Sequence, residues 1–276
     1  MNIAVIGLGI IGGSFCKAIK SHTHHHVIGF NRTLSTAQQA LSDGAIDEIG
    51  DEAALGRADI IILCMYPRAC VDYISQNGKY IKKGALVTDS SGIKRAVCPQ
   101  LSALAREYDF VFVGSHPMAG KEKNGYEVSD GALFEGASFI ITPCGADEKS
   151  VETLAQLAAD IGFARITLSD PEEHDRMIAF TSQLPHILAC AYVLSPCCPN
   201  HKGFSAGSYR DVSRVANINS KLWSELFLEN RTPLVEELEV LTNNLSRIVD
   251  AVKQNDKKTL AALLEEGHRV KQALGE

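Results

Sequence analysis

Residues 1–12 read Met-Asn-Ile-Ala-Val-Ile-Gly-Leu-Gly-Ile-Ile-Gly, and they decide the fold. Asn2 to Ile6 is a short apolar run with β-branched residues, the pattern of a strand covered on both faces. It stops at Gly7-Leu8-Gly9-Ile10-Ile11-Gly12, which opens a helical pattern over residues 11–20. Strand, glycine turn and helix in that order make the fingerprint of a dinucleotide-binding βαβ unit. Gly7 supplies the tight turn, Gly9 lets the backbone approach a pyrophosphate, and Gly12 lets the helix pack closely on the strand. The start of the helix offers unpaired N–H groups to the phosphates. Cofactor contacts are therefore expected from Gly7, Leu8, Gly9, Ile10, Ile11 and Gly12.

Outward from this stretch the same alternation continues. Apolar strand patterns fall at residues 26–30, 59–65, 85–89, 109–114, 138–142 and 164–168, with helical patterns at 35–42 and 149–161 among them. This order predicts an α/β, Rossmann-type, doubly wound and mostly parallel sheet. The pattern changes at Ser169-Asp170-Pro171, where Ser169 or Asp170 can cap a helix with Pro171 in its first turn. One long apolar helix is expected from Pro171 to Leu194, and a last helix from Asp256 to Ala273. The expected division is a dinucleotide-binding domain at 1–168 and an all-helical substrate and dimerisation domain at 169–276. Leu234, Leu238, Leu241, Leu245, Ile248 and Val252 recur at heptad spacing, which predicts a homodimer through the helical domain.

In open α/β sheets ligands gather at the carboxyl ends of the strands. Met65 and Tyr66 follow the third strand, and Asp89 and Ser90 end the fourth, so they join the expected cofactor contacts. The second strand ends in Asn31, Arg32 and Thr33, where an acidic residue would accept from the ribose 2′-hydroxyl of NAD. Without that acid nothing repels a 2′-phosphate. Arg32 can pair with one, or stack on adenine. NADP is favoured over NAD on this ground, and both remain compatible with the chain.

Gly114-Ser-His-Pro-Met-Ala-Gly120 carries the chemistry. His116 is expected directly after a strand and directly before a proline, on a rigid turn where a sheet presents groups to its ligand. An imidazole there can accept a proton near neutral pH. Further segments stand out: Thr88-Asp-Ser-Ser-Gly-Ile-Lys94, Thr181-Ser-Gln-Leu-Pro-His186, Arg210-Asp-Val-Ser-Arg-Val-Ala216, and the single tryptophan, Trp223.

In this order these motifs resemble the prephenate/arogenate dehydrogenases of tyrosine biosynthesis, over essentially the whole chain. The resemblance implies NAD(P)-dependent oxidative decarboxylation of prephenate, or of arogenate, with no metal. It implies that His116 accepts the hydrogen bond, then the proton, of the ring hydroxyl. Arg214 matches the arginine that holds a substrate carboxylate, and His186 a histidine lining the pocket. Asp211 and Trp223 match positions that support the pocket arginine and its closure, and with Arg210 they are expected among the substrate-binding residues. The family often has a serine where this chain has Gly92, so Ser91 is expected as its stand-in. Some members have a histidine in place of Gln183. A hydroxyacid dehydrogenase would place a lysine where this chain has His186. A non-catalytic nucleotide sensor would keep the glycines without needing His116 and Arg214.

Composition limits the other classes. With 45% hydrophobic residues and a net charge of −6 over 276 residues, there is core enough for two modest domains and no basic footprint for nucleic acid. No apolar run approaches the ~20 residues of a membrane span. Met1 leads straight into a strand, so no signal peptide is expected and the chain reads as cytoplasmic. Its 8 cysteines then read as small core residues rather than disulfides. Cys197, Cys198 and His201 lack the spacing of a structural zinc site. His22 and His24 to His26 read as a solvated loop.

Overall fold

The computed structural model describes residues 1–121 and 123–275. Residues 1–230 form one compact unit and the chain from Arg231 onward a second. In the first, eight strands make one sheet: β1 (Asn2–Ile6), β2 (His26–Phe30), β3 (Glu48–Ile49), β4 (Ile60–Leu63), β5 (Leu86–Asp89), β6 (Val111–Pro117), β7 (Ser138–Thr142) and β8 (Arg165–Leu168). The helices are α1 (Ile10–His22), α2 (Leu34–Ser42), α3 (Glu52–Leu55), α4 (Pro67–Asn77), α5 (Cys98–Tyr108), α6 (Glu148–Asp160), α7 (Pro171–Ile178), α8 (Leu184–Val193), α9 (Gly207–Ser213) and α10 (Ser220–Glu229). The second unit is α11 (Arg231–Lys253) and α12 (Lys257–Ala273), which pack on each other across a turn capped by Asp256.

The strand order is β3-β2-β1-β4-β5-β6-β7-β8. All pairings are parallel except β6 with β7. The order reverses at β1, whose neighbours are β2 and β4, and such a reversal leaves a crevice at the carboxyl ends of the strands. Two apolar layers cover the sheet. Phe15, Phe134, Phe139 and Phe163 cluster on one face, and Leu55, Ile74, Val97, Leu101 and Phe112 pack on the other. Central strands such as Ile60 to Leu63 are buried throughout because helices cover both sides. β8 departs from that expectation. It is an edge strand, and Leu168 is exposed.

The expected strands lie within a residue or two of those observed, and the short β3 is an addition. Two corrections bear on function. His116 does not follow a strand on a turn. It lies inside β6, opposite Ile140 of β7. β6 is longer than its sequence pattern because Gly114–Pro117 continue past the end of β5 and pair antiparallel with β7. The single helix expected from Pro171 is present as a continuous helical run but is not regular. After α7 the chain takes a π-helical turn at Ala179–Gln183 before α8, with Pro185 in the first turn of α8. Proline has no N–H to give and its ring crowds the preceding turn, so the regular ladder cannot run through it.

Of the heptad stripe on α11, Leu234 is buried, Leu238, Leu241 and Ile248 are half-buried, and Leu245 and Val252 are exposed. Among the described residues no helix is long and apolar enough to cross a membrane.

Candidate active site

The glycine turn closes as its sequence requires. Gly7 has φ +96°, and a Cβ there would lie 2.6 Å from the Cys64 carbonyl oxygen. A Cβ on Gly12 would lie 1.9 Å from the Gly7 oxygen, so only glycine lets α1 start this close to β1. Gly9 faces open space and caps α1 with no side-chain hydrogen bond, and no acidic residue sits in the first turn. A bare helix N-terminus over a Cβ-free cradle suits a pyrophosphate. The residues present therefore fit a dinucleotide.

Several expected contacts turn out to be supports. Leu8 buries its side chain in the core and donates its N–H to Asn31 Oδ1 at 3.0 Å. Asn31 Nδ2 donates to the Thr33 carbonyl, so the asparagine ties the glycine turn to the end of β2. Arg32 and Thr33 are exposed beside it, and Ile10 and Ile11 are half-buried. The Met65 side chain packs against Gly7. Tyr66 caps α4 and its hydroxyl accepts from Asn219 Nδ2 at 3.0 Å. Ser90 Oγ donates to the Leu63 carbonyl.

Asp89 is a correction. Its side chain is fully buried, and its carboxylate accepts from Lys94 Nζ at 2.5 Å and from the N–H groups of Ser91 and Ser115. It is committed inside the fold and is not available to a cofactor. Lys94 is fully buried too. Such a pair holds only when both charges are fully hydrogen-bonded. It pins the loop after β5 to β6, one residue before His116.

His116 is half-buried. Its Nδ1 lies 3.0 Å from Nε2 of His174, and His174 Nδ1 lies 2.7 Å from Asp175 Oδ1. Both partners are buried in α7. Asp175 also accepts the N–H groups of Lys94 and Arg95 at 2.7 and 2.9 Å. Desolvation, then the neighbouring His174 and Lys94, hold His116 well below the ordinary histidine pKa. Desolvation also lowers His174, against the opposing pull of Asp175. Both rings are accordingly neutral at pH 7, and His116 can act as a base.

The other nitrogen of His116 faces Gly92. A Cβ on Gly92 would stand 3.7 Å from His116 Nε2 and 3.6 Å from Leu226. Ser91 does not replace a side chain there: it is buried, with its Oγ 4.0 Å from Cys70 Sγ. That expectation is corrected, because the one-residue offset sends the side chain into the core.

α10 completes this face. Leu226 lies beside Gly92, the N-cap Asn219 reaches Tyr66, and Glu225 accepts the N–H of Arg68 at 3.2 Å. Trp223 stacks on His186 with ring centroids 3.8 Å apart. His186 Nδ1 also lies 2.7 Å from the Ser182 carbonyl. Gln183 is buried, donating to the Leu226 carbonyl and accepting from Asn230, which also donates to the Asp175 carbonyl. The structure thus joins His186 to Trp223, and joins α10 both to Tyr66 and to the Gly92–His116 face. Arg210 and Asp211 lie on α9, strongly exposed and 3.8 Å apart. Arg214, also exposed, opens the turn after α9.

Sequence reading missed His174, Asp175, Lys94 and Asn230. The available signal was the adjacent His-Asp pair in the first helix after the sheet. Cys198 and His201 engage Tyr209 rather than each other: Cys198 Sγ is 3.4 Å from its hydroxyl, and His201 stacks on its ring.

Comparison with known proteins agrees with this architecture. Residues 15–168 match the family model of the prephenate dehydrogenase nucleotide-binding domain, and residues 170–266 that of the prephenate dehydrogenase dimerization domain. The prephenate dehydrogenase of Bacillus subtilis is 32% identical, over 94% of this chain and 72% of that protein. The arogenate dehydrogenase of Synechocystis superposes with a TM-score of 0.83 at 27% identity, covering 99% of this chain and 100% of that one. The prephenate dehydrogenase of A. aeolicus, solved with hydroxyphenyl propionate and NAD+, gives 0.85 at 26% identity, covering 99% and 98%. With a family match across both parts of the molecule and a matching fold, this chain belongs to the prephenate dehydrogenase family of oxidoreductases.

Proposed function

We propose that the protein oxidises and decarboxylates prephenate to 4-hydroxyphenylpyruvate with a nicotinamide dinucleotide, a step toward tyrosine. The observation that carries this reading is a neutral, half-buried histidine on the same sheet edge as a Cβ-free dinucleotide cradle. A bound nicotinamide would supply the acceptor for the hydride of the hydroxyl-bearing ring carbon. His116 Nε2 takes the hydroxyl proton, the ring carboxylate leaves as carbon dioxide, its bonding electrons complete the aromatic ring, and the proton returns to the phenolate oxygen. Arg214 is assigned to a substrate carboxylate, for which its fixed fork suits better than a lysine. His186 and Trp223 form the aromatic wall of the pocket, and Arg210 and Asp211 flank its entrance. Arogenate differs from prephenate only in an amino group for a keto group, and it is the alternative substrate.

Among cofactors, Gly7, Gly9 and Gly12 hold the pyrophosphate, and Arg32 favours NADP because no carboxylate stands beside it. Residues 1–168 act as the nucleotide-binding part and 169–276 as the helical part, in keeping with the meeting point of the two family matches. The exposed apolar residues of α11 support assembly as a homodimer, and we assign the enzyme to the cytoplasm. The deciding experiment supplies prephenate or arogenate with NAD or NADP and follows the reduced cofactor. No turnover with either substrate would overturn the assignment.

A further inference from the structure

We propose that His174, held by Asp175, sets the tautomer of His116 and so makes its Nε2 the proton acceptor. The inference rests on the function proposed above for its catalytic consequence, though not for its structural content.

The direction of the chain follows from which atoms can donate. The Asp175 carboxylate already accepts the N–H groups of Lys94 and Arg95, and a carboxylate has only lone pairs to offer. The contact from Asp175 Oδ1 to His174 Nδ1, at 2.7 Å, therefore places the hydrogen on that nitrogen. A neutral imidazole carries one N–H, so His174 Nε2 presents a lone pair. It lies 3.0 Å from His116 Nδ1, which must then be the donor. The single hydrogen of neutral His116 is thus used on the inner side. Its Nε2 is left as a lone pair facing Gly92, where no side chain intervenes.

Alone in water, a neutral histidine ring distributes between both tautomers, and the fraction with hydrogen on Nε2 could not take a proton there. The buried chain removes that fraction. When Nε2 gains the substrate proton, the new charge on His116 is delocalised over its ring. It is stabilised through the Nδ1–H bond to His174, whose own N–H points at the Asp175 carboxylate. No proton need leave His116 for this stabilisation to act. The backbone N–H groups that hold Asp175 belong to the loop pinned by the Asp89–Lys94 pair, so carboxylate, relay and base share one rigid frame. His174 touches no substrate in this arrangement and is a positioning residue.

The test uses the full chain with 15N-labelled histidine rings, His116 being assigned by its loss in His116→Asn. Ring nitrogen shifts of the unliganded protein at pH 7.5, ~1 unit above the free-histidine pKa, should show Nδ1–H and an unprotonated Nε2. His174→Phe removes the acceptor and should return His116 to a mixture of tautomers. It should lower kcat at least about tenfold, the lower end of the cost when an outer-shell partner of a metal-bound histidine is lost, and up to about 10⁴-fold where a catalytic histidine takes the wrong tautomer, with KM for prephenate unchanged. His174→Gln, whose side-chain oxygen can accept from Nδ1–H, should recover most of the shift pattern and the rate. Finding Nε2–H in the parent protein overturns the proposal, as does a normal tautomer and kcat in His174→Phe. If His174→Phe fails to fold, the parent spectrum and the His174→Gln rate still decide. A correct tautomer in a protein that turns over neither prephenate nor arogenate would leave the relay standing and remove the proposed reaction.

Discussion

Around His116 the polar groups Asp89, Lys94, His174 and Asp175 are buried and hydrogen-bonded to one another, whereas Arg210, Asp211 and Arg214 carry their charges in solvent. The first region is fixed before any ligand arrives. Its groups cannot relax without leaving a buried charge or donor unsatisfied, which is costly. The second region stands at the surface, on a short helix and the turn after it. Under the proposed function the difference separates two tasks. Proton transfer needs a preorganised base, while carboxylate capture needs reach, a charge and a fork.

The comparison can be broken most directly at His116. His116→Ala or His116→Asn should lower kcat ~10²- to 10⁴-fold, the usual cost of removing a general base, while prephenate still binds. A near-normal kcat would move the chemistry elsewhere. The next largest effect is on stability. Asp89→Asn leaves Lys94 charged and unpaired in the core and should cost about 3–5 kcal/mol in urea unfolding. The double variant with Lys94→Met, which buries no charge, should regain much of that loss; equal losses in both would show that the pair itself, and not a stranded charge, carries the stability. In the exposed region, Arg214→Ala should mainly raise KM, because the contact exists in the ground state too. A charge-assisted pair is worth about 1.5–3 kcal/mol, so steady-state kinetics should show KM up by roughly ten- to hundredfold. An unchanged KM would leave Arg214 without a substrate role.

The smallest effect concerns cofactor choice. Arg32→Ala should weaken NADP more than NAD, and Asn31→Asp should move preference toward NAD by charge repulsion. Asn31 also braces the glycine turn through Leu8 and Thr33, so Asn31→Asp keeps the acceptor and loses the donor. Comparing kcat/KM for both cofactors separates these effects. Equal loss of both cofactors in Arg32→Ala would mean that the side chain only stacks on adenine.

The glycine turn was legible because each glycine answers a local steric demand that no other residue meets. The strands were legible because burial on both faces leaves an unbroken apolar run. The buried relay was not. His116 and His174 are 58 residues apart, and only the antiparallel return of β7, its pairing with β8 and the start of α7 bring them together. In sequence, His174 and Asp175 follow Glu172 and Glu173 and look like the polar face of a helix. The role of Lys94 is hidden in the same way, since lysines are almost never fully buried unless paired, and its partner shows only in the fold. Ser91 was assigned by type, and a one-residue offset decided against it. The π-turn was hidden as well, because an apolar run has no period fine enough to reveal one extra residue.

That extra residue in the Ala179–Gln183 turn acts as a phase shifter. A regular helix advances ~100° per residue, and a π-turn arises from a single inserted residue. Deleting one residue between Ala179 and Gln183 would restore an even helix from Pro171 onward, keeping His174 inward. Everything downstream would rotate by that same angle, carrying His186 off the face of Trp223. The partner that orients the base and the aromatic wall are thus clocked independently along one continuous rod.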